Sequence, residues 1–289
     1  MEKKKDDLEA IRKFTGDDNL QFIGPNDTFG FKCQQCGKCC MNREDIILNP
    51  FDIYNGAKYL GIEPIDFLKQ YCFTNLGAHS KMPMVLLATT DNGFCPLLKF
   101  DVKDGGKFKC TIHPAKPGAC SNHPIGVTFV TNMETGEHNM QYIKTSQCSN
   151  SVSDEQQLVK DWVKPYTDNI DEINIAHDIQ RLVSQHFDSR KFWYILSMLL
   201  KVSQETNHKE HAEMINIAIT KYLSTSVGIG YTEYDINKPF IEQAQKNIEE
   251  LNEFYKDTKQ LFESLIKIYE NITGANFEEE FKAYNEKDN

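Results

Sequence analysis

Four cysteines lie within eight residues in the motif Cys33-x-x-Cys36-x-x-Cys39-Cys40. Three of these thiols are spaced so that one loop could wrap a single metal centre, because Zn²⁺ and iron–sulfur clusters need thiolates held close together. Gly37 sits inside the motif, where its freedom to adopt a positive φ would let the backbone curl around a metal. The pattern therefore predicts a metal centre built on this loop.

Other cysteines follow along the chain, and the last of them is Cys148, so residues 149–289 contain none. We leave out Cys72, which lies beside Tyr71 and Phe73 and is expected to be a buried, inert thiol on the apolar side of the second helix of a helical hairpin. Eight cysteines remain. Those eight are the predicted metal ligands: Cys33, Cys36, Cys39, Cys40, Cys95, Cys110, Cys120 and Cys148. They would form two four-thiolate centres or one polynuclear centre, because a single tetrahedral zinc site uses only four ligands. His113 and His123 either replace a thiolate or only hydrogen-bond near the site.

The first three cysteines match the spacing of a bacterial ferredoxin run, although Arg43 stands where its Cys-Pro would be. This spacing, together with a ligand number beyond one zinc site, favours an iron–sulfur cluster of the 4Fe–4S type. Zn²⁺ is the alternative cofactor.

Charge is unevenly distributed along the chain. Residues 1–150 hold 17 basic and 17 acidic side chains, whereas residues 151–289 hold 15 and 25. A neutral front half and an acidic back half argue against nucleic-acid binding, which needs a basic face. We find no run of about 18 apolar residues and no secretory signal, so we expect no membrane partner and a cytoplasmic location, where clustered cysteines act first as metal ligands.

The remaining patterns predict an α+β protein with three parts. Residues 1–30 form a loose N-terminal arm, residues 31–150 a small, irregular cysteine-rich metal-binding domain, and residues 151–289 an all-α helical bundle. In the cysteine-rich domain, Asn49-Pro50 and Gly61 bound the first helix of a helical hairpin. Short strands follow. Asp104-Gly105-Gly106 is a turn signal between two of them, and Thr135-Gly136 predicts the turn of a further hairpin.

Apolar stripes at helical spacing run through the acidic half, beginning with Leu158, Val159, Trp162, Val163 and Tyr166. Residues 226–231 predict a break between helices. The last helix repeats apolar residues at three and four positions from Ile241 to Tyr269, which allows either a coiled-coil dimer seam or packing across its own bundle. We expect the second, and the oligomeric state is left open.

Several spaced blocks resemble those of the YkgJ-like cysteine-cluster family, a zinc- or iron-chelating domain. The first is Phe31-Lys-Cys-Gln-Gln-Cys-Gly-Lys-Cys-Cys40, which is similar to the family's CxxCxxCC signature. Gly93-Phe-Cys-Pro-Leu-Leu98 and the stretch from Cys110 to Pro124 resemble two later blocks. Lys116 and Ser121 stand where the family usually has arginine. The resemblance covers about residues 28–150 and does not reach the helical half.

The resemblance implies a metal- or iron–sulfur-binding module without a defined activity, so whether the protein is an enzyme is left open. The same domain occurs in enzymes resembling flagellin lysine N-methylase, which implies methyl transfer from S-adenosylmethionine as one alternative. A second alternative is a zinc-stapled module whose acidic helical domain binds a protein partner or protein substrate.

Overall fold

Residues 20–131, 138–146, 151–205 and 209–288 are described by the structure, a computed structural model. The strands are β1 (Gln21–Ile23), β2 (Thr28–Gly30), β3 (Ile47–Leu48), β4 (Cys72–Leu76), β5 (Pro83–Leu87), β6 (Leu98–Asp101), β7 (Lys107–Cys110), β8 (Ile125–Thr131), β9 (His138–Lys144) and β10 (Gln156–Leu158). The helices are α1 (Pro50–Leu60), α2 (Pro64–Tyr71), α3 (Gly118–Ser121), α4 (Val159–Trp162), α5 (Lys164–Thr167), α6 (Ile170–Arg181), α7 (Ser189–Glu205), α8 (Lys209–Val227), α9 (Phe240–Thr273) and α10 (Phe277–Asp288). The predicted α+β class is confirmed.

The chain forms two units, and each is drawn from separated segments. The first unit contains the residues up to Leu48 together with Gln70–Phe73 and Leu86–Asn174. The second contains Asn49–Lys69, Thr74–Val85 and the residues from Ile175 onward. The three domains predicted at residues 1–30, 31–150 and 151–289 stay a prediction. None of the helices in the described part of the chain is long and apolar enough to cross a lipid bilayer.

An antiparallel sheet in the order β1-β9-β8 forms part of the first unit. Its register pairs Phe22 with Ile143 and Val127 with Tyr142. The strands of the hairpin predicted around Thr135-Gly136 are therefore confirmed, and the turn at residues 132–137 lies outside the described residues.

A second pairing, of β2 with β10, covers the hydrophobic core of the first unit. The core buries Phe29, Phe31, Ile125, Val159 and Val163. Trp162 meets the ring of Phe29 edge to face, with the ring centroids 5.6 Å apart. Residues 21–23 and 28–30 thus form strands where the sequence predicts the end of a loose arm. The burial of Phe29 holds the second of these strands in place.

Two local predictions in the first unit are wrong. The stripe from Leu158 to Tyr166 is not one helix, because the chain passes from β10 into the two short helices α4 and α5. Pro165 lies at the start of α5, and a proline lacks the N–H that a continuous helix would need there. Cys72 does not lie in α2 but begins β4, and it is half-buried.

The first helix of the second unit begins and ends as predicted. The side chain of Asn49 accepts a hydrogen bond of 2.8 Å from the backbone N–H of Asp52. The Asp52 carboxylate accepts one of 3.0 Å from the backbone N–H of Asn49 in return, which completes a capping box. Gly61 closes the helix at φ 67°.

Aromatic side chains dominate the core of the second unit. Phe192, Tyr222, Tyr255, Phe262 and Tyr269 are all buried there. The 34-residue helix α9 contributes three of them, so its apolar stripe packs within its own unit, as expected. A single π-helical turn, Gly228–Thr232, lies at the predicted break.

Candidate metal centre

The loop that carries the first four cysteines turns at Gly37. Its φ of 77° is in the left-handed region that favours glycine, which confirms the positive φ expected at this residue. The backbone N–H of Cys40 donates to the carbonyl oxygen of Gly37 at 2.8 Å, and residues 38–40 form a 3₁₀ turn. A β-carbon at position 37 would lie 3.0 Å from the ring of Phe108, so the loop lies directly on that ring.

A short backbone ladder joins the loop to the segment that carries Cys95. The N–H of Cys95 donates to the carbonyl oxygen of Cys40 at 2.9 Å, and the N–H of Asn42 donates to that of Gly93 at 2.6 Å. Met41 and Phe94 form an isolated antiparallel bridge between these two bonds. The ladder brings Cys95 alongside the adjacent cysteines Cys39 and Cys40.

Cys110 reaches the same region through the β6–β7 hairpin. It is the last residue of β7 and stands opposite Leu98, whose N–H donates to the carbonyl oxygen of Cys95 at 3.0 Å. Cys120 comes from α3, where its N–H donates to the carbonyl oxygen of Pro117 at 2.9 Å. Both thiols are half-buried.

The electrostatics of the thiols show which of them lie near one another. The hydrogen bond between the Cys39 and Cys40 side chains is the largest influence on both pKa values. It lowers the pKa of Cys39 to about 6, because the thiolate of Cys39 accepts it, and it raises the pKa of Cys40. Burial raises the pKa of Cys40 further, and so do the negative charges of Cys95 and Cys120.

Cys110 is linked to this group through Cys95. Burial raises the pKa of Cys95, and the charge of Cys110 adds to the increase. Burial also raises the pKa of Cys110 itself. Cys39, Cys40, Cys95, Cys110 and Cys120 thus form a chain of thiols in which each influences the pKa of a neighbour, and their role as ligands stays a prediction.

Two cations face the thiols. Arg43 forms a bidentate ion pair with Asp45, with Nε–Oδ1 and Nη2–Oδ2 distances of 2.6 and 2.9 Å. Its charge also helps to lower the pKa of Cys39. Lys116 lowers the pKa of Cys39 in the same way and opposes the burial that raises the pKa of Cys110. Sequence reasoning did not assign Arg43 to the site, although an arginine three residues after the cysteine pair was a usable signal.

The other predicted site residues are less closely tied to this group. Cys33 is exposed and its sulfur accepts a long hydrogen bond, 3.4 Å, from the N–H of Gln35, while Cys36 is half-buried. Cys148 lies outside the described residues. His123 is half-buried and meets the ring of Phe31 edge to face. Its pKa is lowered by burial first and then by the charge of Arg43.

The cysteine sulfur atoms are suitable metal ligands, but the side chains that the structure describes are not positioned around a common metal site. The eight cysteines in the described residues are all free thiols, and soft thiolates suit zinc and iron–sulfur clusters. Within residues 20–131, 138–146, 151–205 and 209–288, however, no three Cys, His, Asp or Glu side chains are arranged to hold a metal ion.

Residues 32–149 match a domain family named CxxCxxCC and described as a "Putative zinc- or iron-chelating domain". The match begins just before Cys33 and ends just after Cys148, so it includes every cysteine of the chain. It confirms the resemblance noted in the sequence and supports metal binding by this segment. No curated protein and no solved structure matches the chain.

Proposed function

We propose that the cysteine-rich segment binds an iron–sulfur cluster of the 4Fe–4S type. One observation carries this proposal: the charges of Cys95 and Cys120 act on Cys40, and that of Cys110 acts on Cys95, so thiols from four separate segments lie within electrostatic reach of one another. Buried thiols lose the hydration that favours their charged form, so a protein gains little by gathering them without a positively charged centre to bind. A metal centre would supply that charge.

Arg43 and Lys116 support the same proposal. A four-thiolate cluster carries excess negative charge, and cations beside it reduce the cost of burying that charge. Both side chains act on the Cys39 thiolate, and Lys116 also acts on Cys110. We propose that the ligands come mainly from Cys39, Cys40, Cys95, Cys110 and Cys120, with Cys33, Cys36 and Cys148 as further candidates. One 4Fe–4S cluster takes four thiolates, so all eight would serve two centres.

The choice of metal decides what the site can do. A bound iron–sulfur cluster would supply one-electron transfer, whereas zinc at the same thiols would supply only folding free energy. The family description allows either metal. Iron is favoured because Cys33, Cys36 and Cys39 have the spacing of a bacterial ferredoxin run.

Chemical analysis of protein purified without oxygen tests this proposal. We expect brown protein that absorbs broadly in the visible range and contains iron and acid-labile sulfide. Its colour should bleach on reduction with dithionite. Colourless protein with zinc in a fixed ratio to the chain would contradict the iron–sulfur assignment and favour the zinc-stapled module. Protein that binds neither metal would contradict both.

Methyl transfer from S-adenosylmethionine to protein lysines is retained as an alternative that follows only from the family resemblance. Incorporation of a labelled methyl group into lysine-rich proteins, dependent on this protein, would favour it over a purely metal-binding role.

A further inference from the structure

Polar side chains from three helices lie together inside the aromatic core of the second unit. Ser189 begins α7, and Trp193 lies one turn later on the same helix. Tyr222 and Ser226 lie on α8, and Tyr255 lies on α9. The ring centroid of Tyr222 is 5.9 Å from that of Trp193 and 6.4 Å from that of Tyr255. We call these five residues the polar core cluster.

Four polar atoms of this cluster are buried without a hydrogen-bond partner among the described residues. They are Ser189 Oγ, Trp193 Nε1, Tyr222 OH and Ser226 Oγ. Both serines and Tyr222 are at most 5% exposed, so bulk water does not reach them. A buried polar group that lacks a partner forfeits its hydration, which is why nearly all such groups in proteins are hydrogen-bonded. Four of them in one place indicate a partner other than the surrounding side chains.

The hydroxyl groups of the cluster lie close together without bonding directly. Burial raises the pKa of Tyr222, the charge of Tyr255 raises it further, and the nearby Ser189 hydroxyl opposes the increase. Burial likewise raises the pKa of Tyr255 to about 12, against the effect of the Ser226 hydroxyl. Each serine is thus near a tyrosine hydroxyl, but neither pair has the geometry of a hydrogen bond. Polar groups placed in this way are suited to bridging by water.

We propose that the polar core cluster binds ordered water between α7, α8 and α9. Water both donates and accepts hydrogen bonds, so it can accept the Trp193 N–H and also bond to serine and tyrosine hydroxyls. A larger ligand fits less well, because the centroid of the Tyr222 ring lies only 5.1 Å from that of Phe192. Rings packed this closely leave only small gaps between side chains.

Such water would join three helices through hydrogen bonds at a point where their other contacts are mainly between aromatic rings. A buried network of this kind, once all of its members are bonded, favours one arrangement of the helices over others. The cluster contains no cysteine, so this proposal does not depend on metal binding by the first unit.

The stability of two serine variants tests whether the cluster is hydrated. Ser226→Ala removes a hydroxyl from the cluster, whereas Ser224→Ala removes one from an exposed position of the same helix. Both changes raise helix propensity equally, so the difference between the variants reports the buried site. In urea, we expect the unfolding equilibrium constant of Ser226→Ala to exceed that of Ser224→Ala by about tenfold, because the bound water loses a partner. Equal or greater stability of Ser226→Ala would overturn the proposal, since removal of a dry, unpartnered hydroxyl is favourable.

Crystallography of the full chain at high resolution locates the water directly. We expect ordered density within hydrogen-bond distance of Trp193 Nε1 and of at least one of the serine–tyrosine pairs. Direct hydrogen bonds from Ser189 to Tyr222 and from Ser226 to Tyr255, with no density between them, would overturn the proposal. So would density for a molecule larger than water.

Discussion

The backbone N–H of Cys95 donates a 2.9 Å hydrogen bond to the carbonyl oxygen of Cys40. This bond uses no side-chain atom, so both sulfur atoms remain available while their backbones are held side by side. Main-chain hydrogen bonds therefore help to align the cysteine loop with the segment before β6. Substitution of either thiol should remove a ligand without separating the two segments.

Cys95→Ser should lower the amount of metal bound per chain, because a serine hydroxyl is a poor ligand for zinc and for iron–sulfur clusters. Metal content after purification without oxygen measures the effect. Cys72→Ser is the matched control, since Cys72 is half-buried but was not assigned as a ligand, and it should bind as much metal as the natural chain. Equal losses in both variants would argue against a specific role for Cys95.

Cys39 in the metal-free protein should react with iodoacetamide at lower pH than an ordinary thiol. Its pKa is lowered to about 6, mainly by the hydrogen bond from Cys40, so it is a thiolate at neutral pH and becomes protonated only as pH falls through that value. Peptide mapping by mass spectrometry at a series of pH values measures the midpoint. Cys40→Ala should move it upward. A midpoint for Cys39 no lower than that for Cys110, whose pKa is raised by burial, would contradict this prediction.

Gly37→Ala should destabilise the first unit by about 1–2 kcal/mol from the positive φ alone, and by more because the new methyl group would press on Phe108. Urea unfolding measures the loss. Gly105→Ala separates the two effects, because Gly105 has a φ of 67° but no atom within 4 Å of the added β-carbon. If both variants lost the same stability, contact with Phe108 would contribute nothing.

Asn247→Ala should destabilise the second unit by about 1–3 kcal/mol, because buried backbone oxygens would lose their donor. The Asn247 side-chain amide donates to the carbonyl oxygen of Ile229 at 2.8 Å and to that of Glu233 at 3.3 Å, which holds the π-helical turn on α9. Thermal unfolding measures the change. Asn271→Ala, at an exposed position of the same helix, should be nearly neutral. A neutral Asn247→Ala variant would contradict the bridging role.

Short sequence motifs predicted those local structures that depend only on neighbouring residues. The capping box at Asn49 and the hairpin around Gly105-Gly106 follow from preferences of neighbouring residues, and so does the positive φ of Gly37. The match with the cysteine-rich family was likewise visible, because spaced cysteines are a pattern within the sequence itself.

Contacts between distant segments were not predictable in the same way. The pairing of β2 with β10 joins residues from opposite ends of the first unit, and nothing in the short strand 28–30 specifies its partner. The approach of Arg43 to the thiols depends on the fold of the whole loop. The break at Pro165 was overlooked because the apolar stripe continues across it.

The chain leaves the first unit after Leu48 and returns to it at Leu86, apart from the short segment Gln70–Phe73. The other residues between these points belong to the second unit. Tyr54 illustrates the result, since its hydroxyl donates to the carbonyl oxygen of Lys238 at 2.7 Å. A fragment cut to the borders of residues 32–149 would keep α1 but discard the aromatic side chains that α1 is buried against. Because each unit is drawn from several segments, no single cut in the chain separates one unit from the other. Ligand studies on this protein therefore call for the intact chain.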